Sequence, residues 1–189
     1  MKVTEVSEWI IELFNLSTNS HINIGLKTNP TNASVDKINN ELNIKIPGSF
    51  IDFAKRCPSY SSWLASIGED YTSHNHILRL NKLIHRQCNV NTWLPSWLIM
   101  INHGYDGDCD CFDTRSSDLS TGEYSILHWD DEAGKEFEPD EPYKNFHEYI
   151  ESYVLSWAQR HYDNKNRSGR LRRDSREIVS HIDAVLKKI

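Results

Sequence analysis

The chain has 189 residues, 38% of them hydrophobic and 25% charged, with a formal net charge of −6. That length suits one soluble domain, or one domain with an appended element, able to bury a core without disulfides or metals. The longest near-continuous apolar run, "WLPSWLIMI", is nine residues, about half of what a bilayer span requires, so no membrane role is expected.

In chain order, "TEVSEWIIELFN" sets Val6, Trp9, Ile10, Leu13 and Phe14 at helical spacing, with Thr4 as the N-cap. The Asn/Ser/Thr-rich stretch that follows, with Gly25 and Pro30, reads as a loop. Val35, Ile38 and Leu42 restore the helical period behind a Ser34 cap. Pro47 then opens a further helix with Phe50, Phe53, Ala54 and Cys57 on one face, ended by Pro58. From about residue 75 the period shortens. "HILRLNKLI" and "WLIMI" read as strands, the second so continuously apolar that a central position, covered on both faces, is expected. "CDCFD" and "YSILHW" alternate, with turn chemistry at "SSDLSTGE" between them. Phe146, Tyr149, Ile150, Tyr153, Val154 and Trp157 form a late helical stripe. The basic stretch 163–175 reads as a disordered linker, and a last helix carries Ile178, Ile182, Val185, Leu186 and Ile189 on one face. Such a face is expected to dock on the body of the domain or on a second copy. The order implies an α+β fold, a mainly antiparallel sheet flanked by N-terminal and C-terminal helices. Its expected division is 1–158 for the domain and 159–189 for linker and final helix.

Charge is unevenly spread. Residues 106–141 carry thirteen Asp/Glu against Arg115 and Lys135, a net −11, whereas 159–189 carry nine Lys/Arg against four Asp/Glu, a net +5. The acidic part argues against nucleic acid and for a basic protein partner. The basic stretch lacks the interleaved aromatics of an RNA-binding arm. The four cysteines are few and unevenly placed, and "MKVTEVSEWI" lacks a secretory h-region. Reduced thiols in the cytoplasm are therefore the expectation.

The stretch "MINHGYDGDCDCFDTR" (100–115) holds the strongest chemical candidates. Asp106, Asp108 and Asp110 occupy the first three ligand positions of a calcium loop, but Cys111 and Ser117 stand where that loop needs Gly and Glu. His74 and His76 make half a metal site, and Cys109 and Cys111 would have to complete it; a one-residue gap is narrower than structural zinc sites favour. On a strand, Asp108 and Asp110 point together, away from Cys109 and Cys111. If the cysteines face the core, the aspartates form a solvated face. No nucleophile elbow, phosphate loop or dinucleotide fingerprint is present. The tryptophans Trp63, Trp93, Trp97, Trp129 and Trp157 read as core rather than as a ligand cage. No metal, cofactor or catalytic residue is expected.

Several pieces taken in order resemble the SUKH superfamily, whose domain is shared with a fungal regulator of cell-wall assembly. "VDKINNELNIKIPGSFIDFAKRC" (35–57) resembles its opening, with Glu41, Leu42, Ile46, Pro47, Phe50 and Phe53 in the characteristic places. "WLPSWLIMINHGYDGDCDCFDTR" (93–115) resembles its central hairpin, through Leu94–Pro95, Gly107–Asp108 and Phe112–Asp113. "YSILHWDDE" resembles the next strand and "NFHEYIESYV" the closing helix. The likeness covers about residues 1–158. "PSYSSWLASIGEDYTSHNH" departs from the Gly-containing lead into a strand that the family often has there.

The resemblance implies an α+β fold without catalytic machinery. It makes 106–108 a hairpin turn, with Asp113 closing the second strand. Bacterial members are largely immunity proteins that neutralise a toxin; fungal members are regulators and scaffolds. The expected function is thus non-enzymatic capture of a cognate, basic toxin, a nuclease being the toxin type that an acid-rich partner suits. Asp106, Asp108, Asp130, Asp131 and Glu132 are the expected contact residues. A scaffold role is the alternative. A metal-dependent hydrolase built on His74, His76 and the aspartates is the third reading, and a homodimer through the C-terminal helix is a further expected arrangement.

Overall fold

The computed structural model describes residues 5–19, 32–57, 81, 94–103, 108–118, 120–130, 142–168 and 173–187. Helices α1 (Glu8–Asn19), α2 (Asn32–Leu42) and α3 (Gly48–Arg56) precede strands β1 (Leu98–His103), β2 (Cys109–Asp118) and β3 (Glu123–Trp129). Helices α4 (Phe146–Ser168) and α5 (Arg173–Leu186) follow. The strands form an antiparallel sheet in the order β1-β2-β3, and the expected α+β class holds.

Alternation along the strands separates two apolar faces. Ile99, Ile101, Phe112, Tyr124 and Ile126 join the main core with α1, α3, α4 and α5. Leu98, Met100, Cys109, Cys111, Leu127 and Trp129 form a smaller cluster with Leu94 on the other face. Where the faces meet the helices, edge-on aromatic contacts dominate. Phe50 of α3 lies 5.4 Å from Phe112 and 4.9 Å from Phe146, and Phe53 lies 4.7 Å from Phe14 (ring centroids). This is the geometry that ring quadrupoles favour.

β1 is covered on both faces, as its apolar run implies, but within the described sheet it is an edge strand, and β2 is central. An apolar run reports burial of faces, not the number of paired neighbours. At β1 the neighbour's part is taken by one side chain. The Asn81 amide donates to the Met100 carbonyl and accepts from the Met100 N–H, both at 2.9 Å. Asn81 itself is helical, so the strand expected at "HILRLNKLI" is wrong at that residue; the rest of that segment lies outside the described residues. β3 is extended on its far side by Tyr143, which exchanges backbone bonds with Ile126.

Helix ends depart from the sequence reading in instructive ways. α1 begins at Glu8, where the Ser7 carbonyl accepts from Ile10 and Ile11; the expected Thr4 cap lies outside the described residues. The chain before it is held by α3. Asp52 accepts the Val6 N–H, and Arg56 donates to the Val6 carbonyl while pairing with Asp52 and Glu8. Partial burial acts to lower the Arg56 pKa, but hydrogen bonds and charges from Asp52 and Glu8 outweigh it, and the net shift is upward. α1 runs on to Asn19, and α2 starts at Asn32, so Ser34 sits inside its first turn rather than capping it. α2 ends through Asn43 at φ 54°, a left-handed residue of the kind Asn tolerates best after Gly.

Pro47 precedes α3 without any side-chain cap of its own. The missing acceptor comes from β3. Buried Glu123 accepts from the Ser49 N–H at 3.3 Å and from the Ser49 hydroxyl at 2.6 Å. A carboxylate there also meets the positive end of the helix dipole. α4 has a local cap, with Asn145 accepting from the Glu148 N–H and Glu148 from the Lys144 N–H.

The linker expected at 163–175 is helical at 163–168 and again at 173–175. Its residues are charged, but none between 163 and 168 is Gly or Pro. Extending an existing helix costs far less than starting one. α5 docks on α1 and α4. It buries Val179, Ile182 and Val185 and pairs His181 with Glu12 at 3.2 Å. The stripe is thus used within the chain, as one of the two expected arrangements requires. Val185→Ala removes two buried methyl groups and should cost about 1–2 kcal/mol, measurable as a lower denaturant midpoint; an unchanged midpoint would contradict this docking. Among the described residues no helix is long and apolar enough to cross a membrane.

Candidate functional site

Two of the acidic residues singled out from the sequence, Asp108 and Asp130, flank one end of the sheet. Cys109 of β2 and Trp129 of β3 are register partners, so the next residues outward on the two strands are Asp108 and Asp130. Of the expected contact residues, these two are described; Asp106, Asp131 and Glu132 lie outside the described residues, as do the candidate ligands His74 and His76.

The alternation expected for "CDCFD" holds. Cys109 and Cys111 are buried with their Sγ atoms 3.5 Å apart, among Leu98, Met100, Leu127 and Trp129. Burial pushes the Cys111 thiol well above the ordinary range, and burial takes Cys57 up to about 12. A thiol held protonated is neither a ready nucleophile nor a ready metal ligand. Among the described residues no three His, Cys, Asp or Glu side chains are grouped to hold a metal ion.

The opposite parity is not simply a solvated face. Asp108 and Asp110 retain 28% and 18% side-chain exposure and both turn to His128. His128 is the register partner of Asp110. Its Nδ1 lies 3.0 Å from Asp110 Oδ1, and its Nε2 lies 3.6 Å from Asp108 Oδ2. From α4, the Tyr149 hydroxyl donates to the other Asp110 oxygen at 2.7 Å. Asp110 therefore joins β2, β3 and α4. Desolvation acts to lower the His128 pKa, but the Asp110 hydrogen bond, with the charges of Asp110 and Asp108, outweighs it and raises it above 6.5. The sequence reading missed His128 and Tyr149. The parity of His128 with Ile126 was readable in "YSILHW", whereas its pairing with Asp110 required the register.

The far end of the hairpin is built differently. Asp113, expected to close the second strand, sits mid-strand, and β2 continues to Asp118. Asp113 takes both Arg115 Nε and Nη2, and the Arg115 guanidinium lies 3.2 Å from the Trp97 ring centroid. Trp97 is thus half-buried under a cation, while Trp129 belongs to the smaller cluster, Trp157 packs partly against the main core, and Trp63 and Trp93 lie outside the described residues. The turn is closed by Asp118, which accepts from Ser120 and Thr121; these bonds hold its carboxyl below the usual range. Gly122 follows at φ 72°, a conformation that glycine adopts without strain.

A family model described as the SMI1 / KNR4 family (SUKH-1) matches residues 29–152. That span is more than half of the 189 residues and runs from just before α2 into the first turns of α4. It contains all three described strands and the acidic end. No curated protein and no solved structure matches the chain significantly.

Proposed function

Because the chain belongs to the SMI1 / KNR4 family (SUKH-1), we propose that it is a non-enzymatic protein-binding domain, the immunity partner of a basic toxin. The observation that carries this reading is the placement of Asp108, Asp110 and Asp130 at one end of the sheet. Asp110 lies on β2, and Asp108 and Asp130 directly flank the paired ends of β2 and β3, so little backbone ordering is needed when a partner arrives. The acidic run through 131–141 continues from the same point in the chain. Such a surface attracts a cationic domain from a distance and, once docked, covers its substrate cleft. The protein acts where it and a toxin meet in the cytoplasm.

The test replaces Asp130, Asp131 and Glu132 together by Asn, Asn and Gln, removing three charges with little change in bulk. The variant should melt like the parent yet associate with its cognate toxin about tenfold more slowly at low ionic strength. Protection of cells should weaken in parallel, and the difference should shrink as salt rises. Association and protection equal to the parent's would remove these residues from the contact surface. A scaffold role would show instead as no protection by the parent protein against that toxin.

A further inference from the structure

We propose that Cys109 and Cys111 are a redox pair: hydrogen peroxide closes them into an intrachain disulfide, and the closure strains β2 at Asp110. The proposal goes beyond the reading of this end as a contact surface and does not depend on it.

The strand places the pair. Separated by one residue on β2, the two side chains share a face and the same small apolar cluster, with Leu98, Met100, Leu127 and Trp129. Their Sγ atoms are 3.5 Å apart. A disulfide needs about 2.05 Å between its sulfurs, so closure moves them by about 1.5 Å. The Cα atoms of residues i and i+2 on a strand stand about 6.4–6.8 Å apart, at the far limit of what a disulfide spans. The bond therefore forms by drawing the strand in. The residue between is Asp110, which faces the other way and meets His128 of β3 at 3.0 Å and the Tyr149 hydroxyl of α4 at 2.7 Å. A sharper pleat at Asp110 shifts its carboxylate against both partners.

Burial is the gate. In the closed fold Cys111 is fully buried and held protonated, first by that burial and then by Cys109 beside it, so the pair is inert. Cys109 is the first residue of β2, and its register partner Trp129 is the last of β3. The end of a ladder opens more readily than its middle, and a small oxidant meets Cys109 first. In that open state the Cys109 thiolate attacks one peroxide oxygen. An S–O bond forms, the O–O bond breaks, and hydroxide leaves to become water with the thiol's proton. Cys111 then attacks the sulfenic sulfur: S–S forms, S–O breaks, and the hydroxyl leaves as water with the Cys111 proton. The two thiols give up two electrons, and the peroxide is reduced to two waters. Cross-linking so short a loop constrains the unfolded chain little, because that gain grows with loop length. Strain in the folded state outweighs it, so this disulfide lowers stability and is easily reduced.

The experiment treats the reduced full chain with hydrogen peroxide, alkylates the remaining thiols and maps the peptides by mass. The peptide holding Cys109 and Cys111 should lose two hydrogens and escape alkylation. Cys111→Ala should stop at a sulfenic acid on Cys109, which dimedone traps. The oxidised chain should melt about 3–6 °C below the reduced one. A thiol reductant should restore it, a recovery that methionine oxidation would not show. The His128 imidazole midpoint, which desolvation lowers and the Asp110 hydrogen bond raises, should fall on oxidation. Two free thiols after peroxide, or a cross-link from either one to Cys57 or Cys88, overturn the pair. A disulfide that leaves the melting temperature and the His128 midpoint where they were overturns the strain at Asp110.

Discussion

Replacing Phe50 by alanine is expected to destabilise the protein by about 3–5 kcal/mol, the range for emptying a buried phenylalanine site. Phe50 is fully buried and is the ring through which α3 meets both the sheet, at Phe112, and α4, at Phe146. Its removal leaves a cavity bounded by three elements. Because those elements are tied to one another elsewhere, collapse around the void can be only partial, which puts the cost toward the upper end. For a chain of this size the melting temperature should fall by about 10 °C or more. Phe50→Leu keeps most of the volume and should cost roughly 1–1.5 kcal/mol. Thermal and denaturant unfolding of the two variants measure both numbers. Equal midpoints for Phe50→Ala and the parent would mean that α3 does not pack between sheet and α4.

The second large effect concerns Glu123. Its carboxylate accepts from the Ser49 backbone and hydroxyl in a buried setting, and supplies the cap that α3 lacks at Pro47. Glu123→Ala removes the acceptor and leaves two buried donors unserved, each carrying a desolvation cost of about 1–3 kcal/mol. Partial relaxation and water access reduce the sum, so a loss of about 2–4 kcal/mol is expected. Glu123→Gln retains one acceptor oxygen but loses the charge at the helix N-terminus, worth about 0.3–1 kcal/mol, and should fall between parent and Ala variant. Ser49→Ala combined with Glu123→Ala should cost less than the two changes summed, because the second removes a partner already lost. Strict additivity, or a Glu123→Ala variant within about 0.5 kcal/mol of the parent, would show that the bond contributes nothing to stability.

These two contacts differ in how far they could be read before the fold was seen. Phe50 was legible: with Phe53, Ala54 and Cys57 it marks one face of a helix, and all four are buried. Glu123 was not, because nothing in the turn chemistry of "SSDLSTGE" says that its last residue will reach a helix more than seventy positions earlier. The candidate site divides along the same line. The shared parity of Asp108 and Asp110, and the inward turn of Cys109 and Cys111, follow from the two-residue period of any strand. The clamp by His128 and the bond from Tyr149 depend on which strands pair, in which register, and where α4 crosses them.

By itself, then, the sequence determined the periods and faces: the apolar stripes of α1 to α5, the alternation in β2 and β3, and the α+β order they imply. Each is set by the local backbone geometry of a few consecutive residues. Tertiary structure alone decided that β2 rather than β1 is central among the described strands, that Asn81 serves the backbone of Met100, and that α4 continues to Ser168. It also decided that Asp110 joins two strands to a helix. Those outcomes turn on contacts between residues far apart in the chain. A side chain's parity says which face it takes but not which residue it will meet there, because register and neighbour are settled only when the faces pack against one another.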